Sequence, residues 1–136
     1  MHRRHFIALT SAFALSPIAL HAAPTLSTPT QAEAAMKAGK VVLLDFWASW
    51  CSTCAAQERV LTDLRAENPD YDRKIAFFII DWDQHSASNL SRRLNIPRRS
   101  TLVALNGQTE IARIVAGTSK KDIASLLDQA LAAAPA

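Results

Sequence analysis

The chain has 136 residues, 49% of them hydrophobic and 20% charged, with 15 basic against 12 acidic side chains and a net charge of +3. The first 22 residues hold Arg3 and Arg4 and no acid, which leaves 13 basic against 12 acidic residues in the remainder and no footprint for nucleic acid. They also hold His2, His5 and His21, so any Cys–His hydrolase or Cys/His zinc site would depend on His85 alone.

In chain order, "MHRRH" is a cationic start, "FIALTSAFALSPIAL" an apolar run and "HAAP" a small-residue stretch. That order reads as an export signal over residues 1–22, cleaved between Ala22 and Ala23. The apolar run is short for a membrane span and is interrupted by Ser16-Pro17, so no stable membrane insertion is expected after signal removal. "RRHFI" fits the twin-arginine export pattern as well as an ordinary basic start, and the route stays open. The expected location is the periplasm or another extracytoplasmic space.

Residues 23–30, "APTLSTPT", read as a flexible lead-in to one domain over 31–133. "TQAEAAMKAGK" suits a helix opened by Thr28 or Thr30 and stopped by Gly39. "VVLLDF" (41–46) reads as a buried strand, with Asp45 placed where a core strand should carry no charge. From Ser52 a helix carries Val60, Leu61 and Leu64 on one face until "NPDYD" ends it. "IAFFII" (75–80) is a second buried strand, with Phe77, Phe78, Ile79 and Ile80 read as core, and "SASNLSRRL" a short helix. "TLVAL" and "TEIARIV" flank Asn106-Gly107 as a hairpin, and "SKKDIASLLDQALAA" is a final helix capped by Ser119. Strands alternating with helices and followed by an antiparallel pair predict an α/β fold: a central mixed sheet with helices on both faces.

Cys51 and Cys54 are the only cysteines in the chain. A bridge closing so short a loop removes little chain entropy, which argues against a structural staple, and a closed zinc site would need more ligands. A redox pair accounts for the neighbours. Cys51 falls at a helix start, where free N–H groups and the helix dipole favour a thiolate, and Cys54 lies one turn further, within reach of a mixed disulfide.

"VVLLDFWASWCSTC" resembles the active-site segment of the thioredoxin-like family, and the resemblance extends from Val41 to Leu131. It implies a thioredoxin-like fold and an exported thiol–disulfide oxidoreductase with no organic cofactor and no metal. Its partners would be disulfide-containing protein substrates and a membrane thiol donor or acceptor. By resemblance, Cys51 is the attacking cysteine and Cys54 the resolving one. Trp50 shields the disulfide, Trp47 packs beneath it, and Asp45 is the buried acid that takes the resolving thiol's proton. A carboxyl in a core strand should indeed have a raised pKa.

The pattern breaks at "RRSTLVAL", where Ser100 stands in place of the family's cis-proline and Pro97 lies three residues earlier. A cis bond before serine would cost about 3 kcal/mol, so Arg99–Ser100 is expected to be trans. Arg99, Ser100 and Thr101, with Trp50, would then shape the substrate groove, and the serine hydroxyl would be placed to hydrogen-bond a thiolate. Loss of the proline leaves metal binding open, so a non-catalytic Cu(I) or thiol-binding module using the same cysteines is the alternative reading. Arg92, Arg93, Arg98 and Arg99 form either a basic rim for an acidic partner or a solvated surface. His85, near Asp81 and Asp83, reads as part of a polar turn.

Overall fold

Val41–Trp47 forms the strand (β1) on which the rest assembles, because its run of apolar residues leaves neither face free for water. The computed structural model describes residues 23–136; the export signal expected over 1–22 lies outside them. Before β1 comes α1 (Pro29–Lys37). After it come α2 (Ser52–Glu67), α3 (Asp70–Lys74), β2 (Ala76–Asp81), α4 (Trp82–His85), α5 (Asn89–Arg93), β3 (Thr101–Asn106), β4 (Thr109–Val115) and α6 (Lys120–Ala133).

The sheet order is β2-β1-β3-β4, with β2 parallel to β1 and both β1–β3 and β3–β4 antiparallel. Successive side chains on a strand point to opposite faces, and the core divides accordingly. Val41, Leu43, Leu102 and Ala104 meet Leu61 and Leu64 of α2 and Ile123, Leu126 and Leu127 of α6. Val42, Leu44, Phe46, Val103 and Leu105 meet Ala32 and Met36 of α1 and Leu90 of α5. The same alternation sends Asp45 to the α2 face, because it shares parity with Val41 and Leu43. The mixed sheet with helices on both faces is the architecture the alternating pattern predicts.

Caps and turns hold the elements where the sequence places them. Thr28 closes a capping box with Gln31, so it, rather than Thr30, opens α1. Gly39 follows that helix at φ 78°, and Gly107 turns the hairpin at φ 59°, left-handed values that favour glycine. The Ser119 side chain accepts from the Asp122 N–H at the start of α6.

Four features differ from the sequence reading. "NPDYD" does end α2, but Asp70 and the residues after it form a further helix, α3, anchored by buried Tyr71. The short helix expected over "SASNLSRRL" is α5, capped by Ser88, but a separate helix, α4, precedes it where a polar turn was expected, because Asp81 caps its own turn. β2 is an edge strand, so Phe77, Phe78 and Ile79 are only half-buried, and Ile80 alone is core. The lead-in follows that edge: the Ser27 N–H donates to the Ile79 carbonyl at 2.7 Å, in a parallel bridge to Ile80. Among the described residues no helix is long and apolar enough to cross a membrane.

Candidate active site

The chain leaves β1 through Ala48–Trp50 and enters α2 with Cys51 as the N-cap, in extended backbone geometry. Cysteine replaces the usual Ser, Thr, Asp or Asn there, and its sulfur does their work: Sγ accepts the Cys54 N–H at 3.0 Å. A sulfur so placed faces the unpaired amides and positive end of a 16-residue helix, which favours its anionic form. Cys51 and Cys54 are joined as a disulfide, with Cα atoms 5.2 Å apart. Cys51 keeps 6% of its surface exposed and Cys54 none, so only the first sulfur is open to a partner. Trp47 packs against both, with Ala48.

Ser100 arrives from the other side. No peptide bond among the described residues is cis, so Arg99–Ser100 is trans as expected; Ser100 itself has φ 62°. Its hydroxyl lies 3.1 Å from Cys51 Sγ and 3.4 Å from Cys54 Sγ, fully buried. A left-handed non-glycine residue costs about 1–2 kcal/mol, and three backbone links offset it here. The Ser100 N–H donates to the Phe46 carbonyl at 2.7 Å, and the Ser100 carbonyl accepts from the Ala116 N–H at 2.8 Å and from Gln57 Nε2 at 3.0 Å. Proline could not stand here in this conformation, since its φ is held negative and it lacks the N–H that Phe46 receives.

The four groove residues of the sequence reading divide between two depths. Trp50 is 59% exposed, and the Arg99 guanidinium lies over its ring at 4.1 Å. Ser100 lies beneath the surface, against the sulfurs. Thr101 is also fully buried, and its hydroxyl donates to the Arg98 carbonyl at 2.7 Å, so it braces the loop and does not face the groove. Trp50 is fixed from below by its Nε1–H donating to Asp83 Oδ2 at 2.8 Å. Asp81 accepts the Asp83 N–H as the α4 cap, and the His85 carbonyl accepts the Ser91 hydroxyl at 2.8 Å. These residues serve the helical turn. Among the described residues no group of three or more His, Cys, Asp or Glu side chains is placed to hold a metal ion.

Of the clustered arginines, Arg93 pairs with Glu33 at 3.1 Å and Arg92 donates to Asn89 at 2.6 Å. Arg98 and Arg99 have no carboxylate partner among the described residues.

Asp45 is 4% exposed, and its Oδ1 is buried without a hydrogen-bond partner among the described residues. Burial, with a smaller contribution from the Glu58 carboxylate, raises its pKa from 3.8 to about 7. Both acids line a cavity of about 430 Å³ between α2, β2 and the lead-in. A neutral-pH proton acceptor therefore stands under the α2 face that carries Cys54.

Two residues of this site escaped sequence reasoning. Gln57 is fully buried, and its Nε2 donates to the carbonyls of Ser100 and Gly117. The available signal was its place on the apolar stripe Cys54, Gln57, Leu61, Leu64, where a glutamine needs partners. Glu58 borders Asp45 only through the packing of α2 on β1, which no local pattern reveals.

With the geometry described, the comparisons with known proteins point one way. The sequence model for "Thioredoxin" matches residues 24–129. Thioredoxin C-3 of Corynebacterium nephridii is 32% identical over 90 residues, which span 66% of this chain and 58% of that protein. A thioredoxin of Staphylococcus aureus is 29% identical over 91 residues, 67% of this chain and 83% of its own. Among solved structures, Trxlp from Edwardsiella tarda superposes with a TM-score of 0.65 at 28% identity, covering 75% of this chain and 95% of that one. The thioredoxin Mala s 13 of Malassezia sympodialis, at 24% identity and a TM-score of 0.66, covers 82% and 99% and shares the fold.

The raised Asp45 pKa has a consequence for stability. Between its ordinary value of 3.8 and its folded value of about 7, the native state keeps a proton that the unfolded chain has lost. The contribution is therefore most favourable below about pH 4, declines as the pH rises to about 7 and is constant above. At 1.36 kcal/mol per pKa unit the full difference is about 4 kcal/mol. Asp45→Asn should raise the urea midpoint at pH 8 and leave it near wild type at pH 4. An offset of equal size at both pH values would show that the charge is not the cause.

Proposed function

The chain belongs to the thioredoxin family, and we propose that it is an exported thiol–disulfide oxidoreductase acting on protein disulfides through Cys51 and Cys54. The observation that carries this reading is the asymmetry of the pair: one cysteine caps α2 with its sulfur and keeps a small exposed area, and the other is wholly enclosed.

In the reducing direction the Cys51 thiolate attacks a substrate disulfide. A Cys51–substrate S–S bond forms, the substrate's own S–S bond breaks, and the released thiolate takes a proton from solvent. The Cys54 thiol then gives its proton to the Asp45 carboxylate and attacks Cys51 Sγ. This forms the Cys51–Cys54 disulfide and expels the second substrate thiolate, which is protonated in turn. Two electrons have moved from protein to substrate, and a dithiol donor at the membrane would restore the reduced pair by the same exchange. Asp45, half ionised near neutrality, suits this duty better than an exposed carboxylate, which would be too weak a base.

Trp50 and Arg99 frame the approach to Cys51. The guanidinium stacked on the indole makes no ion pair among the described residues, which supports docking of segments with an acid near the disulfide. The cationic, apolar and small-residue succession over 1–22 supports export and removal of that leader.

Four outcomes test this reading. In glutathione mixtures followed by alkylation gel shift, the Cys51–Cys54 disulfide should form reversibly, and the dithiol should reduce insulin. Cys51→Ser should abolish turnover, while Cys54→Ser should accumulate mixed disulfides; absence of turnover with both thiols intact would overturn the assignment. Arg99→Ala should raise KM about two- to fivefold for a peptide disulfide flanked by Asp or Glu and leave a neutral peptide unaffected, the range of an exposed charge contact. In a Gram-negative host the full chain should be recovered from the periplasm beginning at Ala23; an uncut cytoplasmic product would rule out export.

A further inference from the structure

We infer that Ser100 and Gln57 form a built-in stabiliser of the reduced site, with the Ser100 hydroxyl bonding the Cys51 thiolate and Gln57 acting as the positioning residue that holds the hydroxyl there. The inference rests on the redox reading of the cysteine pair and adds to it what sets the chemistry of the thiolate.

The hydroxyl is within hydrogen-bond reach of both sulfurs, at 3.1 Å from Cys51 Sγ and 3.4 Å from Cys54 Sγ. A hydroxyl offers one proton and two lone pairs. In the disulfide state both sulfurs are weak acceptors, so Ser100 makes one weak bond at best. In the reduced state it donates to the Cys51 thiolate and accepts from the Cys54 thiol, and the chain S–H···O–H···S⁻ uses every proton available. A charge-assisted bond is gained on reduction and lost on oxidation. Ser100 therefore favours the reduced form, lowers the Cys51 pKa and makes the couple more oxidising. The Cys54 N–H at 3.0 Å from the same sulfur acts in the same sense.

Such a bond depends on where the hydroxyl is held, and Gln57 controls that. Its Nε2 donates to the Ser100 carbonyl at 3.0 Å and to the Gly117 carbonyl at 2.9 Å. Those carbonyls belong to the two turns whose left-handed residues, Ser100 at φ 62° and Ala116 at φ 61°, flank the β3–β4 pair. One buried amide on α2 thus ties both strained turns to the helix that carries the cysteines. Gly117 suits the arrangement because an added Cβ would stand 2.8 Å from Ile114 Cγ2 and push the turn off the amide. Gln57 Oε1 has no hydrogen-bond partner among the described residues, a cost that the two donated bonds must offset.

The test is the Cys51 pKa, from thiolate absorbance at 240 nm, with the glutathione equilibrium constant, for wild type, Ser100→Gly, Gln57→Met and the double variant. Glycine adopts φ 62° freely, so Ser100→Gly removes the hydroxyl and spares the turn. It should raise the Cys51 pKa by about one unit and shift the equilibrium about tenfold toward disulfide, about 30 mV more reducing. Gln57→Met should move both quantities in the same direction and add little when Ser100 is already glycine. Should Gln57→Met not fold, Gln57→Asn keeps an amide but falls one methylene short of the carbonyls and reads the same effect.

An unchanged pKa and equilibrium in Ser100→Gly would overturn the inference. A Gln57 effect as large in the glycine background as in wild type would remove its positioning role. Failure of wild type to cycle with glutathione would instead sink the underlying redox reading, so the two failures are told apart.

Discussion

The Ser100 N–H donates to the Phe46 carbonyl at 2.7 Å, and the rest of the site depends on this link between the ends of β1 and β3. It stands just beyond the last rung of their ladder, where Phe46 faces Thr101. On one side of it the chain turns through Trp47 to Cys51; on the other it arrives from Pro97 and the arginines. Closing it brings a serine hydroxyl under two sulfurs 49 and 46 residues away in sequence. An amide is needed to make it, which a proline cannot supply. The serine and the trans peptide bond therefore belong to one arrangement, in which the loop is tied to β1 by a hydrogen bond.

Around that link the site separates access from protection. Cys51 is exposed enough for exchange and sits where amides and a hydroxyl converge on its sulfur. Cys54, Ser100 and Thr101 are sealed below, while Trp50 and Arg99 lie above and meet whatever approaches. A deprotonated sulfur in such a place is stabilised by fixed dipoles that need no rearrangement when the charge appears. Thiolate stabilisation works on two properties together, since it lowers the pKa of the nucleophile and favours the reduced member of the couple.

Asp45 is the cost of placing proton chemistry inside a core strand. β1 is covered on both faces, so the carboxyl is largely removed from solvent and holds its proton to about pH 7. The cavity it shares with Glu58 is walled in part by the lead-in, through Pro24, Thr25 and Ser27. The lead-in thereby contributes a wall to the site as well as an edge bridge to the sheet.

What the sequence by itself determined is what repeats over short distances. The strand "VVLLDF", the helix that follows it and the hairpin around Gly107 are written in local periodicity and turn chemistry, and they became β1, α2 and the β3–β4 pair. The Trp-Cys-x-x-Cys segment and the odd charge of Asp45 were visible because each is out of keeping with its immediate neighbours, whereas Ser100 stood out only against the proline that the family resemblance implies there. Tertiary structure decided the rest. Phe77, Phe78 and Ile79 form an apolar run that cannot report that β2 lies at an edge. Thr101 looks like a groove residue until parity turns it inward. Gln57 reads as an ordinary helix former, and its two carbonyl partners lie 43 and 60 residues away, in turns whose left-handed geometry no pattern of residue types announces. Local sequence sets each backbone's preferences, but which polar atoms must satisfy one another is settled only when distant segments are packed into the same water-free space.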